Sequence, residues 1–243
     1  MQLFISDTYE TMSAKAAETV MQKINSQRKG LLSPASGDSP TGLYKELVNQ
    51  LSNKKTDISG WKFVGLDEWL GMNGDDEGSC QFYLNNQLFH PLHISENNIS
   101  FFDGKANDPK AECDKVENFI VEHGGIDIAI VGLGMNGHIG MNEPGTSPSL
   151  HAHVAEIDPI TQQVGQKYFK EKTHISKGLT LGIANLMEAR NVILIVSGSK
   201  KAEIVRRVLE EEISEQLPAS LLRNHPNLSV YLDAEAASLL EKK

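Results

Sequence analysis

The segment formed by residues 132–145 carries the side chains of this chain that are best suited to chemistry. It reads GLGMNGHIGMNEPG and follows an apolar run that predicts a buried strand. Its first six residues match the Gly-x-Gly-x-x-Gly fingerprint of dinucleotide-binding loops, whose backbone holds a pyrophosphate. Its second half contains His138 and Glu143, an imidazole and a carboxylate that could exchange protons with a substrate.

The glycine pattern by itself does not make this segment a cofactor loop. A dinucleotide site needs a helix to begin at the third glycine, but Gly137 is followed closely by two more glycines and a proline, which disfavour a helix. We therefore interpret the fingerprint as accidental and the segment as a loop that holds His138. A lone loop histidine is more often a hydrogen-bonded surface residue, but the nearby Asn136, Asn142 and Glu143 favour an oriented catalytic imidazole.

Asp67 and Glu68 follow another apolar stretch, residues 62–66, where a predicted strand ends. A free aspartate has a pKa of about 3.9, so a carboxylate held there would be ionised at neutral pH and could act as a general base. The alternative is that the two acids are a solvated loop pair, or that an acid is bonded to a neighbouring backbone amide. If no other motif were present, this alternative would be preferred. The candidate phosphate loops and the loop that holds His138 follow other strands of the same predicted sheet, and their presence favours a general base over this alternative.

Two loops rich in Ser and Gly are candidates for phosphate binding. Residues 36–39 read SGDS and residues 197–201 read SGSKK, and each loop leads from a predicted strand into a predicted helix. Hydroxyls and free N–H groups at a helix N-terminus suit an anion, and Lys200 or Lys201 could add a positive charge. Neither loop has the spacing of a nucleotide P-loop, which favours a phosphomonoester. Ordinary turns with helix N-caps explain either loop about equally well.

Strand-like and helical patterns alternate along the whole chain. The predicted strands cover residues 2–5, 31–34, 62–66, 99–102, 126–133, 192–196 and 228–232. Two helices are predicted from their N-caps: one is capped by Asp7, with Glu10 completing a capping box, and the other by Ser39. Four more helices are predicted at residues 79–89, 109–123, 200–211 and 234–240. This alternation predicts a single α/β domain, residues 1–243, with a doubly wound, mostly parallel, Rossmann-like sheet and helices on both faces. Ligands of such sheets bind beyond the carboxyl ends of the strands, where the polar loops fall.

The composition argues against several classes of partner. The chain has 243 residues and a net charge of −9, and without a basic block it is not expected to bind nucleic acid or an anionic membrane. No apolar run approaches the length of a membrane span, and residues 1–7 lack the features of a signal peptide. Cys80 and Cys113 are not in metal-binding spacing, so we interpret them as free thiols of a cytoplasmic protein and expect no metal site.

Five segments, in order along the chain, resemble the glucosamine-6-phosphate deaminase (isomerase) family. They are residues 36–40, 66–69, 132–145, 197–202 and 218–220. The Asn-Glu-Pro-Gly ending of residues 142–145 is the most specific, because the related 6-phosphogluconolactonases usually carry a different ending there. Trp69 and residues 78–80 are similar to the galactosamine-6-phosphate branch.

The resemblance implies an enzyme that converts an aldose amine phosphate to a ketose phosphate and ammonia, with no cofactor and no metal. It implies that Asp67 moves a proton between C2 and C1 and that His138 opens the pyranose ring. Glu143 and Asn136 would orient His138. The implied phosphate ligands are Ser36, Gly37, Ser39, Lys201 and Lys167.

Three positions differ from the family pattern. Asp38 stands where members have a small neutral residue, and a carboxylate there would repel phosphate unless it points away. Asn136 stands where some members have Asp, so tuning of the histidine by a charge at this position is lost. Lys167 stands where members carry an Arg, and it supplies a point charge without the bidentate contact.

The expected reaction converts glucosamine 6-phosphate and water to fructose 6-phosphate and ammonia. Three alternatives stay open: galactosamine 6-phosphate as the substrate, giving tagatose 6-phosphate; hydrolysis of a lactone such as 6-phosphogluconolactone; and a non-catalytic sugar-phosphate sensor. The presence of Asp67, His138 and Glu143 favours a catalyst over a sensor. A small sugar phosphate is the expected partner, and the sequence leaves both a monomer and a homo-oligomer open.

Overall fold

The computed structural model describes residues 1–54 and 56–241 of the chain. The strands are β1 Gln2–Ser6, β2 Gly30–Ser33, β3 Trp61–Val64, β4 Asp67–Trp69, β5 Ile99–Ser100, β6 Ile128–Val131, β7 His153–Glu156, β8 Lys177–Thr180, β9 Val192–Val196 and β10 Leu228–Asp233. The α-helices are α1 Tyr9–Ser26, α2 Asp38–Lys54, α3 Cys80–Leu84, α4 Pro109–Glu122, α5 Pro159–Gly165, α6 Ile183–Glu188, α7 Ala202–Glu210 and α8 Pro218–Leu221. Within the described ranges, no helix combines the length and the apolar composition that a membrane crossing requires.

Seven strands form the central sheet, in the order β1-β10-β9-β6-β2-β3-β5. Every neighbouring pair in this sheet is parallel. All residues of β6 and β9 are buried, which is the pattern of strands that are covered on both faces. The prediction of a doubly wound, mostly parallel α/β sheet is confirmed.

Two apolar cores lie on opposite faces of the central sheet. Successive residues of a strand point to opposite faces, and on β9 Ile193 and Ile195 belong to one core while Val192, Leu194 and Val196 belong to the other. The first core also contains the buried faces of α1 and α2, and the second contains those of α4 and α7. Helices therefore cover both faces, as the strand composition predicts.

A second, smaller sheet was not predicted. Its three antiparallel strands lie in the order β4-β8-β7, with Asp67 of β4 opposite Thr180 of β8. The predicted strand at residues 62–66 is two residues too long, since β3 ends at Val64 and the chain then enters the small sheet. β7, α5 and β8 occupy a stretch to which the sequence patterns assigned no element. This sheet matters for the site because it carries Asp67.

Two predicted helix starts are wrong. α1 is capped by Thr8 rather than by Asp7 with Glu10, because Thr8 makes the reciprocal bonds of a capping box with the first turn. α2 begins at Asp38, so Ser39 is a residue of the first turn and not the cap. The first difference is one residue and the second is two residues, and the second places the helix start within the polar loop.

The predicted helix at residues 234–240 is a series of turns. The Asp233 carboxylate at its start accepts from the amide of Ala236 and also from the amide of Gly198, so it links this segment to the end of β9. The backbone hydrogen bonds that follow close separate turns instead of an unbroken helical series. A short apolar pattern is therefore not enough here to make a helix.

Candidate active site

Loops at the carboxyl ends of β2, β6 and β9 enclose a cavity of about 190 Å³, which β4 and α5 also line. The predicted site residues that line it are Ser36, Gly37, Ser39, Asp67, His138, Lys167 and Lys201. Asn136 and Glu143 lie outside the lining and contact His138. The structure thus brings the predicted residues together at the edge where ligands of parallel sheets bind.

His138 is held by hydrogen bonds within its own loop. Its Nδ1 lies 2.8 Å from Asn136 Oδ1 and 3.5 Å from Glu143 Oε2. Asn136 Nδ2 in turn donates to Glu143 Oε2 at 2.8 Å. Because a carboxylate only accepts hydrogen bonds, the amide nitrogen of Asn136 has to face Glu143 and its oxygen has to face the imidazole.

The orientation of Asn136 assigns a proton on the imidazole. Asn136 Oδ1 accepts from the backbone N–H of His138 at 3.2 Å and must also accept from Nδ1, so Nδ1 carries a hydrogen. Nε2 is then the ring nitrogen left to exchange a proton with a bound molecule. Asn136 orients His138 through hydrogen bonds alone, without the charge that an aspartate would supply.

Thr161 on α5 is a contact of His138 that the sequence did not indicate. Its Oγ1 lies 3.0 Å from His138 Nδ1, and its side chain is buried and lines the cavity. No motif points to this residue, since it lies in the stretch between β7 and β8 where no periodicity was recognised. Thr161 connects the imidazole to the segment that also carries Lys167.

Glu143 is an ionised carboxylate beside the imidazole. Burial acts to raise its pKa. The charge of His138, together with hydrogen bonds from His138, Asn136 and Thr161, outweighs burial and holds the pKa below its usual value. Its Oε1 is buried without a hydrogen-bond partner in the part of the chain that the structure describes. The negative charge therefore stays next to the loop that holds the ring.

Asp67 reaches the cavity from β4 and is only 9% exposed. Burial raises its pKa to about 6, while a hydrogen bond from the Cys80 thiol and the charge of His138 act in the opposite direction. The pKa is thus higher than the free-aspartate value of about 3.9 that the sequence suggests. A carboxylate that is ionised at neutral pH but more basic than usual is well suited to accept a proton.

Glu68, the second acid of the pair, does not reach the cavity. Its side chain is fully buried, and its oxygens accept from the backbone N–H groups of Trp69, Cys80 and Gln81 at 2.8, 3.0 and 2.9 Å. Neighbouring residues of a strand point to opposite faces, so Asp67 and Glu68 have to diverge. Glu68 is therefore an acid bonded to backbone amides, as the alternative interpretation expects, and these bonds join the start of α3 to β4.

Residues 36–39 lead from β2 into α2 and line one end of the cavity. Gly37 has a φ of +110°, a conformation that residues with a side chain rarely adopt. The first N–H groups of α2 have no partner within the helix, which makes this helix start suitable for an anion. Ser39 Oγ lies 3.3 Å from Ser197 Oγ, so the two predicted Ser/Gly loops meet here.

Two lysines lie next to this loop. Lys201 donates to the carbonyl of Leu133, and its pKa is lowered to about 8, first by burial and then by the charge of Lys167. Lys167 forms an ion pair with Asp38, whose side chain is 68% exposed. The carboxylate that would repel a phosphate is therefore engaged by a cation at the solvent side.

Four more side chains line the cavity: Trp69 and Cys80, which lie in segments that carry the family resemblance, and Tyr83 and Tyr168, to which no sequence motif points. Burial, with the charges of Asp67 and Glu68, raises the pKa of Cys80 well above its usual value, so it is a protonated hydrogen-bond donor and not a nucleophilic thiolate. The described residues contain no group of three or more His, Cys, Asp or Glu arranged to hold a metal ion. The cavity lining includes Asp67 and His138, which can transfer protons, and Lys167 and Lys201, which can bind an anion.

The family model of glucosamine-6-phosphate isomerases/6-phosphogluconolactonase matches residues 6–230. A glucosamine-6-phosphate deaminase of Geobacillus sp. (strain WCH70) is 36% identical over 241 residues, which cover 99% of this chain and 96% of that relative. The solved structure of a monomeric glucosamine-6-phosphate deaminase is also 36% identical and superposes with a TM-score of 0.95, covering 98% of this chain and 100% of that one. A 6-phosphogluconolactonase from Trypanosoma brucei, 22% identical with a TM-score of 0.75 over 99% of this chain and 98% of that one, shares the fold. The chain therefore belongs to the family of glucosamine-6-phosphate isomerases and 6-phosphogluconolactonases.

Proposed function

We propose that this chain is an enzyme that converts glucosamine 6-phosphate and water to fructose 6-phosphate and ammonia. The observation that carries the proposal is the meeting of Asp67, His138 and the anion-binding loop at residues 36–39 in one small cavity. A carboxylate base and an oriented imidazole are the groups that an aldose–ketose proton transfer needs. The deaminase relatives, 36% identical over nearly the whole chain, support the same reaction.

In the proposed first step, His138 opens the pyranose ring of the substrate. Its Nε2 protonates the ring oxygen and takes up the proton of the C1 hydroxyl, which leaves an aldehyde at C1. One proton moves from one oxygen to the other, so the imidazole ends in the state in which it began. Asn136 and Glu143 keep the ring in position during this exchange.

In the proposed second step, Asp67 removes the proton from C2 of the open-chain sugar. The electron pair forms a double bond between C1 and C2, and the aldehyde oxygen gains a proton from the substrate's ammonium group. Asp67 then returns its proton to C1, and the nitrogen lone pair forms an iminium at C2. Water adds to C2 and one of its protons passes to the nitrogen. The C–N bond then breaks as the C2 carbonyl forms, ammonia leaves, and the second proton of the water goes to solvent, so that no outside oxidant or reductant is needed.

We propose that the phosphate binds at the start of α2. The helix start, the hydroxyls and the lysines provide both free N–H donors and positive charge at this end of the cavity. The proposed ligands are Ser36, Gly37, Ser39, Lys201 and Lys167. Binding there would require Lys167 to exchange its ion pair with Asp38 for one with the phosphate, or to share both.

We propose that the reaction takes place in the cytoplasm. Cys80 and Cys113 are both buried free thiols, as expected in a reducing compartment. The net charge of −9 disfavours polyanionic partners, and Lys167 and Lys201 offer positive charge to a small phosphate at one end of the cavity.

An ammonia-release assay on purified protein tests the function. Glucosamine 6-phosphate should yield ammonia and fructose 6-phosphate in equal amounts, and glucosamine without the phosphate should yield far less. Galactosamine 6-phosphate in a parallel reaction determines which C4 epimer is preferred. Hydrolysis of 6-phosphogluconolactone without ammonia release would support the lactonase instead, and tight binding without any turnover would support a sensor.

The depressed pKa of Lys201 predicts that substrate binding weakens at alkaline pH. Burial lowers the pKa to about 8, so the ammonium group is charged below that pH and loses its charge above it. KM for the sugar phosphate should therefore rise as the pH increases from 7 to 9.5. Lys201→Arg is the matched variant, because a guanidinium stays charged throughout this range. A wild-type KM as flat as that of the Arg variant would contradict the prediction.

A further inference from the structure

Three tyrosine hydroxyls bind the backbone carbonyl groups of the loop that leads into α2. Tyr44 donates to the carbonyl of Ala35 at 2.6 Å, Tyr83 donates to that of Gly37 at 2.7 Å, and Tyr9 donates to that of Asp38 at 3.0 Å. The three side chains come from different helices, α2, α3 and α1. The loop is therefore fastened from three separate parts of the fold.

Holding a carbonyl group also sets the direction of the next N–H group. The described peptide bonds include no cis bond, and in a trans peptide the C=O and N–H groups point in opposite directions. The tyrosines thus fix the N–H groups of Ser36, Asp38 and Ser39. All three residues line the cavity where we propose that the phosphate binds.

Tyr83 is the one of the three tyrosines that lines the cavity. Its hydroxyl contacts that of Thr41, which lies 3.1 Å from the same Gly37 carbonyl oxygen. Two hydroxyl hydrogens serve these three contacts, and Tyr83 has the shorter distance to the carbonyl, so Tyr83 is the donor to Gly37 and Thr41 donates to the Tyr83 oxygen. Gly37 is the residue with the positive φ, where the chain turns into α2. The turn that aims the helix start at the cavity is therefore held at its centre by Tyr83 and Thr41.

The ring of Tyr83 supports the other side of the same subsite. It packs edge-on against the ring of Tyr168, with centroids 6.4 Å apart and an interplanar angle of 78°. Lys167 lies over the ring of Tyr168, 4.8 Å from its centroid. Tyr83 is thus in contact with both the loop that supplies N–H groups and the segment that supplies a cation.

We propose that Tyr83, supported by Tyr9 and Tyr44, is a positioning residue that aims the loop's N–H groups at the substrate's phosphate. The inference rests on the proposed function, since it assumes that a phosphate binds at this loop. It predicts an effect on phosphate binding without a matching effect on the proton transfers at Asp67 and His138. A tyrosine that served only the packing of α3 would alter stability and leave phosphate binding unchanged.

Tyr83→Phe keeps the ring and removes only the hydroxyl, so it tests the bond to Gly37. Loss of one hydrogen bond should raise KM for the sugar phosphate about 3- to 10-fold and leave kcat within about twofold. The dissociation constant for inorganic phosphate, measured by calorimetry, should rise by the same factor. Tyr231→Phe is the matched control, because it removes a hydroxyl that bonds Thr19 in another part of the molecule, and both constants should stay at wild-type values.

Thr41→Val removes the second hydroxyl of this group, which holds the Tyr83 hydroxyl in place, and should change the same two constants in the same direction, by a smaller factor. Wild-type phosphate binding in folded Tyr83→Phe protein, or a loss in kcat without a change in KM, would overturn the proposal. If Tyr83→Phe does not fold by circular dichroism, unchanged phosphate binding in Thr41→Val decides against the proposal. Failure of the proposed function has a different signature, since the wild-type protein would then release no ammonia.

Discussion

Replacing Asp67 by Asn should lower kcat for the deamination on the order of 10³-fold and change KM by only a few-fold. Asn has the same shape but accepts no proton at its side chain under these conditions, so the transfer between C2 and C1 loses its base. The Asp67 carboxylate accepts from the Cys80 thiol, and within the described ranges no direct hydrogen bond joins it to the loop at residues 36–39. Phosphate binding should therefore be largely kept. Steady-state kinetics with an ammonia readout separate the two parameters.

The pKa of Asp67 adds a pH dependence to this prediction. Burial raises the pKa to about 6, and the carboxylate must be ionised to accept the C2 proton. The wild-type kcat/KM should therefore fall as the pH decreases from 7 through 6, approaching tenfold per pH unit. This acidic limb is separate from the alkaline rise in KM that is expected from Lys201. In the Asn variant the residual rate should lack this acidic limb.

Asp57→Asn provides the control for a general effect of removing an acid. Asp57 is exposed, accepts from the amide of Ser59, and is not part of the cavity lining. Its kinetics should match the wild type. A kcat of Asp67→Asn within tenfold of the wild-type value would contradict the assignment of Asp67 as the base.

Replacing His138 by Gln should lower kcat about 10²- to 10³-fold, because the imidazole that we propose opens the ring is lost. A glutamine can still hydrogen-bond the ring oxygen, but it cannot shuttle a proton near neutral pH. Ring opening should then become the slow step. The C2-deuterated substrate reports this directly: its isotope effect on kcat should decrease towards one in the variant.

His151→Gln is the matched control for the histidine. His151 is exposed, bonds Glu188 at 3.0 Å, and is not part of the cavity lining. It should keep both the wild-type rate and the wild-type isotope effect. A full isotope effect in His138→Gln, together with a reduced rate, would instead assign His138 to the proton transfer at C2.

The parallel sheet and the location of the site could be predicted because their signals are local. Buried strands such as β6 and β9 are continuous apolar runs, and polar loops that follow such strands must meet at one edge of a parallel sheet. His138, Asn136 and Glu143 lie within one short loop, so their contact follows from the sequence spacing.

The small sheet and its contacts could not be predicted because they depend on pairing between distant segments. β4 is three residues long and pairs with β8, more than a hundred residues away in the chain. Strands this short carry too few residues to show an alternating pattern. The position of Thr161 beside His138 depends on the same region, so no local signal could reveal it.

The fold class, the sheet edge where the candidate site lies, and the residue types that could transfer protons or bind a phosphate can all be predicted from the amino-acid sequence alone. These depend on hydrophobic periodicity and on the fixed geometry of strand ends. Only the tertiary structure decided that Asp67 faces the cavity while Glu68 is buried on amide groups, and that Tyr83 holds the turn at Gly37. Side-chain direction and burial arise from contacts between segments that are remote in sequence, and they set the pKa of Asp67 and the direction of the loop's N–H groups.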